Sequence, residues 1–132
     1  AHLYNYVGQP WRTQELVDEV LHTLYFNDPN GLSGNEDCGQ MSAWFILNSM
    51  GFYQVCPGKP VYSIGRPLFD KTTIHLKGGK TFTIVIHNNS RENKYVQKMV
   101  LNGKELNVPF FAHQDMIDGG TLELTMGGEP LK

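Results

Sequence analysis

Apolar residues recur along this chain with two periods, and the change from one to the other falls at Pro57. In the first half, Leu16, Val17, Val20, Leu21 and Leu24 stand at helical spacing, while Glu15, Asp18, Glu19 and His22 fall elsewhere. The pattern predicts an amphipathic helix over about Thr13–Tyr25, with Thr13 as N-cap and Glu15 in the first turn. A second helix is predicted over about Gly39–Met50. There Met41, Trp44, Phe45, Ile46, Leu47 and Met50 cover most of the circumference, and Gly51 follows as a C-terminal cap. A helix apolar nearly all round belongs in the middle of something.

Beyond Pro57-Gly58-Lys59-Pro60 the period becomes two. Ile74 and Leu76 alternate with polar residues, Gly78-Gly79 predicts a hairpin turn, and Phe82, Ile84 and Ile86 alternate again. Tyr95 to Leu101 reads as a strand, Asn102-Gly103 as a second hairpin turn followed by Leu106 and Val108, and Leu122, Leu124 and Met126 as a last strand. The predicted fold is α+β: two helices, then a small antiparallel β-sandwich from about Val61 onward. The division falls into residues 1–56, helical, and 57–132, the sandwich.

The two halves do not balance. Two helices, one of them apolar on every side, cannot cover each other, and the sandwich can cover only one face of the pair. The remainder calls for partners outside this chain. Since the first residue is Ala1 rather than Met, a piece of a larger protein is expected in preference to an oligomer.

Composition narrows the function classes without choosing one. Of 132 residues, 40% are hydrophobic and 18% charged, which is ordinary globular make-up. A net charge of −2 provides no general attraction to nucleic acid or to an anionic membrane. No apolar run has the length of a membrane span, and no signal peptide is recognisable. Cys38 and Cys56 are too sparse for a disulfide scaffold; both are expected reduced and packed as small hydrophobes, with a bridge as the alternative. Neither has a CxxC partner or a nearby His, which disfavours zinc. His75, His87 and His113 are too scattered to argue for a metal and are expected at the surface or hydrogen-bonded in the core.

The chemistry concentrates in Gly31 to Trp44, a loop punctuated by Gly31, Gly34 and Gly39 that carries Glu36 and Asp37 into the apolar helix. An EF-hand register from Asp28 fails at Leu32 and Ser33. No Gly-Lys-Ser/Thr follows the glycines, so a P-loop is excluded, and no Gly-x-Ser-x-Gly elbow exists. Acid–base chemistry survives. Adjacent carboxylates on an irregular loop diverge, so one can face a pocket while the other is anchored. Helix N–H groups and the helix dipole favour negative charge at this point, and Asp37 or Asn35 can serve as the cap. Residue chemistry alone favours capping for Asp37 over a general base. The aromatic segment from Ala1 to Trp11 fits a groove lining and plain packing about equally.

Two longer motifs carry a resemblance. His2-Leu3-Tyr4-Asn5-Tyr6-Val7-Gly8-Gln9-Pro10-Trp11-Arg12-Thr13-Gln14 looks like Y-N-Y-x-G-x-P-W-[KR]-T-Q, and Gly31 to Trp44 looks like G-L-x-G-N-[DE]-D-x-G-Q-M-S-A-W. With Gly51-Phe52-Tyr53 and Pro57-Gly58, the chain resembles glycoside hydrolase family 92 over essentially its whole length. Those enzymes are bacterial, calcium-dependent, inverting exo-α-mannosidases with an N-terminal β-sandwich and an (α/α)₆ barrel. The resemblance implies that this chain is the C-terminal end of such an enzyme: the last barrel helices and the closing strands. It implies Asp37 as general base, with Glu36 as the second carboxylate. The family's acid, a glutamate in an upstream E-G-N-x-W-Q-Y stretch, has no counterpart here. Asn35, Tyr4, Asn5 and Trp11 are candidate substrate-binding residues at the barrel mouth. Calcium is implied, with no ligand assignable in this sequence. The implied partners are a mannose-containing glycan, with an α-1,2 linkage preferred, and the upstream part of the same polypeptide. The implied location is periplasmic, cell-surface or secreted, in a bacterium.

The competing expectation is a non-catalytic sandwich that binds carbohydrate or protein. Exposed coplanar aromatics on one sheet face would mark it.

Overall fold

The computed structural model describes residues 1–132. A short 3₁₀ helix, His2–Val7, leads into α1, Pro10–Thr23. The helix starts earlier than its apolar spacing indicates because Pro10 occupies the first helical position, where a fixed φ and a missing N–H cost nothing. Gln9, not Thr13, is the N-cap. Thr13 lies inside α1, fully buried, and its hydroxyl donates to the Ala1 carbonyl at 3.2 Å. Val17 and Leu21 form the buried stripe, whereas Leu24 lies beyond the last turn and is exposed.

The second helix, α2, spans Gln40–Met50 and ends as expected. Gly51, at φ 110°, donates its N–H to the carbonyls of Leu47 and Asn48. Its apolar circumference is not enclosed by this chain. The fully buried members are the polar Asn48 and Ser49, while Trp44, Phe45, Leu47 and Met50 are half-buried and Ile46 is 56% exposed. Leu24, Phe26, Leu32 and Ile46 together leave apolar surface uncovered at this end of the helix pair.

Two sheets follow. The smaller joins β1 (Phe52–Tyr53), β2 (Val61–Ile64) and β7 (Phe110–Ala112), all antiparallel. The larger has the order β3 (Lys71–His75), β4 (Thr81–His87), β8 (Gly120–Gly127), β5 (Tyr95–Leu101), β6 (Lys104–Glu105). It is mixed rather than antiparallel: β4 and β8 run parallel, with Phe82 opposite Gly120 and Ile86 opposite Leu124. A parallel pair needs a long crossover. Here β5, β6, β7 and a one-turn helix α3 (His113–Ile117) supply it. Period-two patterning reports which face is buried but not which neighbour a strand takes, so the parallel pair was not readable from alternation.

Both expected hairpins form. Gly78 and Gly79, with positive φ, turn β3 into β4, and Asn102-Gly103 turns β5 into β6. Strand β6 stops at Glu105, however, and Leu106 and Val108 lie in no strand. One core joins the sheets: Phe82, Ile84, Ile86, Val96, Leu101, Leu122, Leu124 and Met126 of the larger pack with Phe52, Ile64 and Phe111 of the smaller. Met116 of α3 completes it.

Two polar ties fasten α1 to the larger sheet. Gln14 Oε1 accepts the Val96 N–H at 3.1 Å, beside the bulge that interrupts the β5–β8 register between Val96 and Lys98. Tyr95 donates its hydroxyl to Glu15 at 2.7 Å, which holds the Glu15 carboxyl below its usual range and pushes the phenol up. A third tie is ionic. Arg66, only 2% exposed, places Nε 3.0 Å from Asp18 Oδ1 as a charge pair without hydrogen-bond alignment. Its Nη2 donates to the Ser90 carbonyl at 2.8 Å.

Both cysteines are free, but neither is packed in the interior; Cys38 and Cys56 are exposed. His75 and His87 lie at the surface, and His113 sits 2.7 Å from the Tyr62 hydroxyl through Nδ1.

Candidate active site

The loop between the helices folds back on itself before it reaches α2. Phe26 and Gly31 pair across its base, with the Phe26 N–H donating to the Gly31 carbonyl at 3.0 Å. A Cβ on Gly31 would stand 1.9 Å from the Phe26 carbonyl oxygen, so only glycine permits this closure.

A second reversal follows at Asp37-Cys38-Gly39-Gln40. The Asp37 carbonyl accepts the Gln40 N–H at 3.0 Å, and the two central residues have φ of 54° and 78°. Positive φ at both central positions is the pattern of a type I′ turn. Gly39 adopts it freely, whereas Cys38 pays about 1–2 kcal/mol in backbone strain. The reversal brings Glu36 over the start of α2. Glu36 Oε1 accepts the Met41 N–H at 2.9 Å, and Oε2 accepts the Ser42 N–H at 3.1 Å and the Ser42 hydroxyl. Glu36 is therefore the side chain that caps α2, in place of the expected Asp37 or Asn35. Capping from upstream requires the left-handed turn, and a non-glycine residue such as Cys38 gives no sign of one.

Asp37 is thereby released. Its carboxylate makes no hydrogen bond or ion pair within the chain and is exposed, as is Asn35. The divergence of the two carboxylates is what their adjacency suggests, with Glu36 anchored and Asp37 free.

The candidate binding residues of the N-terminal segment are placed differently. Tyr4 and Trp11 are half-buried, with the Arg12 guanidinium 5.8 Å above the Tyr4 ring. Asn5 is buried, and its Nδ2 donates to Ser63 Oγ at 2.7 Å and to the Ile64 carbonyl at 2.8 Å. None of the three bonds to or stacks on the Glu36–Asp37 loop.

Asn5 belongs to a buried polar chain that sequence reasoning missed. His2 Nε2 lies 2.7 Å from Asn48 Oδ1, and Nδ1 lies 2.9 Å from Ser63 Oγ. Asn48 Nδ2 donates to the Trp44 carbonyl at 2.9 Å, which leaves its oxygen as the acceptor. The proton of a neutral His2 then sits on Nε2, and Nδ1 accepts from Ser63. Burial is the main reason that the His2 pKa falls to about 4, against the opposing effect of the hydrogen bond that Nε2 donates to Asn48. The network joins the 3₁₀ helix, α2 and β2 behind the loop.

A run of rings borders the loop as well. Tyr25 stacks on Trp44 at 5.9 Å and 4°, and Trp44 meets Tyr53 at 6.3 Å. The Tyr25 hydroxyl donates to the Met41 carbonyl at 3.0 Å, and Gln40 Nε2 donates to the Tyr53 hydroxyl at 3.3 Å. Burial first, and the Glu36 charge second, push the Tyr25 phenol up.

Calcium takes six to eight oxygen ligands, normally including several carboxylates. No group of three or more His, Cys, Asp or Glu residues converges in this chain, so its residues alone do not fit a calcium cage. No helix is long and apolar enough to cross a membrane. Of the strand aromatics, Phe52, Phe82, Tyr95 and Phe111 are buried, while Tyr53, Tyr62 and Phe110 are half-buried in the smaller sheet.

The glycosyl hydrolase family 92 catalytic domain matches residues 1–128. A protein named uncharacterized secreted glycosidase, from Arthroderma benhamiae, is 35% identical over 130 residues, covering 96% of this chain and 17% of that protein. Among solved structures, a family GH92 α-mannosidase from Bacteroides thetaiotaomicron superposes with a TM-score of 0.91 at 39% identity, over 98% of this chain and 17% of its own. A family GH92 inverting mannosidase from Bacteroides thetaiotaomicron VPI-5482 gives 0.90 at 44% identity, over 98% and 18%. The chain thus spans less than a fifth of the length of these relatives.

Proposed function

Because the chain belongs to glycosyl hydrolase family 92, we propose that it forms part of an inverting exo-α-mannosidase in which Asp37 is the general base. The observation that carries this reading is the unequal use of two neighbouring carboxylates. Both oxygens of Glu36 accept hydrogen bonds at the start of α2, while the Asp37 carboxylate has no partner within the chain and is exposed. A general base must have a free oxygen within reach of the water it deprotonates.

In the proposed step, Asp37 takes a proton from water as the water oxygen bonds to the anomeric carbon. The bond to the leaving oxygen breaks on the opposite face, and an acid elsewhere in the polypeptide protonates that oxygen. Inversion requires the acid and the base to stand roughly 6.5–9.5 Å apart, leaving room for the water. Glu36 cannot be that acid, since it is adjacent on the same turn and bound to the helix.

The helices α1 and α2 are read as the end of an (α/α)₆ barrel. Their uncovered apolar residues Leu24, Phe26, Leu32 and Ile46 support packing against an upstream part of the same polypeptide. The substrate is read as a glycan with terminal mannose, α-1,2-linked by preference. A secreted or cell-surface location is supported by the relative named as a secreted glycosidase. Calcium is read as a cofactor of the full-length protein with no ligand assigned to this chain, and no step is routed through it.

The test is stereochemical. Hydrolysis of an α-1,2-mannobioside by the full-length protein, followed by proton NMR from the first minute, should release β-mannose before mutarotation. Release of α-mannose first, or no hydrolysis, contradicts the reading.

A further inference from the structure

We infer that Glu36 is a positioning residue: it clamps the start of α2 and so holds the Asp37–Gln40 turn in the left-handed form that directs the Asp37 carboxylate to solvent. The inference rests on reading Asp37 as the base, and it gives the second carboxylate a role without contact to substrate.

Three features argue for it. Both oxygens of Glu36 are engaged, by the Met41 and Ser42 N–H groups and by the Ser42 hydroxyl, so the carboxylate is fixed against the first turn of α2. The turn between Glu36 and its donors contains Cys38 at φ 54°, a conformation that persists only where surrounding contacts over-determine it. A second tie bears on the same helical turn, since Tyr25 bonds the Met41 carbonyl at 3.0 Å. Remove the clamp and the turn is free to relax, carrying Asp37 with it. A displacement of about 1 Å at a catalytic group can cost 10²-fold in rate.

Glutamine keeps the length of Glu36 but has one acceptor oxygen in place of two. Ser42 touches the clamp only from behind, through Glu36. The experiment therefore compares Glu36→Gln, Ser42→Ala, the double variant and Asp37→Asn in the full-length protein, with an aryl α-mannoside as probe. Expected for Glu36→Gln is a kcat about 10- to 100-fold lower, with KM changed less than about twofold. Ser42→Ala should fall in the same direction by a smaller factor, and the double variant no further than Glu36→Gln. The acid limb of the kcat/KM profile, which reports the base, should stay where it is in the wild type.

A Glu36→Gln protein with wild-type kcat and a lower melting temperature would reduce Glu36 to a stabilising cap. A loss equal to that of Asp37→Asn, with the acid limb displaced and Ser42→Ala at wild-type rate, would mean that Glu36 acts on the reacting water itself. Either result overturns the inference while leaving Asp37 as base. Asp37→Asn at wild-type kcat overturns the base assignment, and the inference falls with it.

Discussion

Protonation of His2 should destabilise the fold by an amount that the structure bounds. The imidazole is 4% exposed, wedged between Ser63 and Asn48, and its pKa drops from the usual 6.5 to about 4. The unfolded chain therefore binds this proton more readily than the folded one. Stability from His2 is complete above pH 6.5, declines as pH falls, and is exhausted once pH passes below about 4. At 1.36 kcal/mol per pH unit, that interval corresponds to about 3 kcal/mol. Geometry gives the same sign: imidazolium carries a proton on both nitrogens, so the Ser63 hydroxyl must turn away or a donor must face a donor. The assay is denaturant unfolding of wild type and His2→Gln between pH 8 and pH 3.5, taking the difference in stability at each pH. The difference should narrow by about 3 kcal/mol on going from pH 7 to pH 4, because glutamine has nothing to protonate. Parallel curves over that range would refute the claim that folding desolvates His2.

Asp18→Ala should cost about 3–5 kcal/mol in unfolding free energy, since it leaves buried Arg66 without its counter-charge; a loss under 1 kcal/mol would mean water reaches the guanidinium. Phe82→Ala, at the centre of the core, should cost about 3–5 kcal/mol by the same measurement, with Asp37-dependent chemistry retained in whatever fraction stays folded. The 132-residue chain alone should show no turnover of an aryl α-mannoside, because a base without its acid cannot carry out proton transfer on both sides of the bond. Measurable turnover by that chain would place the acid within it.

Much of this architecture was legible in the chain because it depends on local rules. Helical spacing in Leu16–Leu21, the Gly51 cap and the Gly78-Gly79 and Asn102-Gly103 turns each follow from a few neighbouring residues. Non-local features were not. The parallel pairing of β4 with β8 spans more than thirty positions, and nothing in either strand's alternation names its neighbour. At the start of α1, Thr13 has the chemistry of a cap, but the first-position preference of Pro10 is the stronger signal and sets the boundary. At α2 the apolar residues masked what the structure buries most deeply. Asn48 and Ser49 face the interior because Asn48 has His2 to meet there, a partner from the opposite end of the helical half. The same limit governs the site. Gly31 to Trp44 could be singled out from glycine spacing and paired acids, yet which acid is anchored depends on one positive φ at Cys38.

The account stands on Asp37 being a base and nothing else, and Asp37→Asn in the full-length protein tests that most directly. The Asp37 side chain caps no helix and bonds to no neighbour, so the melting temperature should be unchanged, consistent with a surface substitution worth less than about 0.5 kcal/mol. Loss of a general base lowers kcat by about 10²–10⁴. A stable Asp37→Asn enzyme with kcat reduced by at least about two orders of magnitude is the predicted result. A variant with wild-type kcat, whatever its stability, would contradict it.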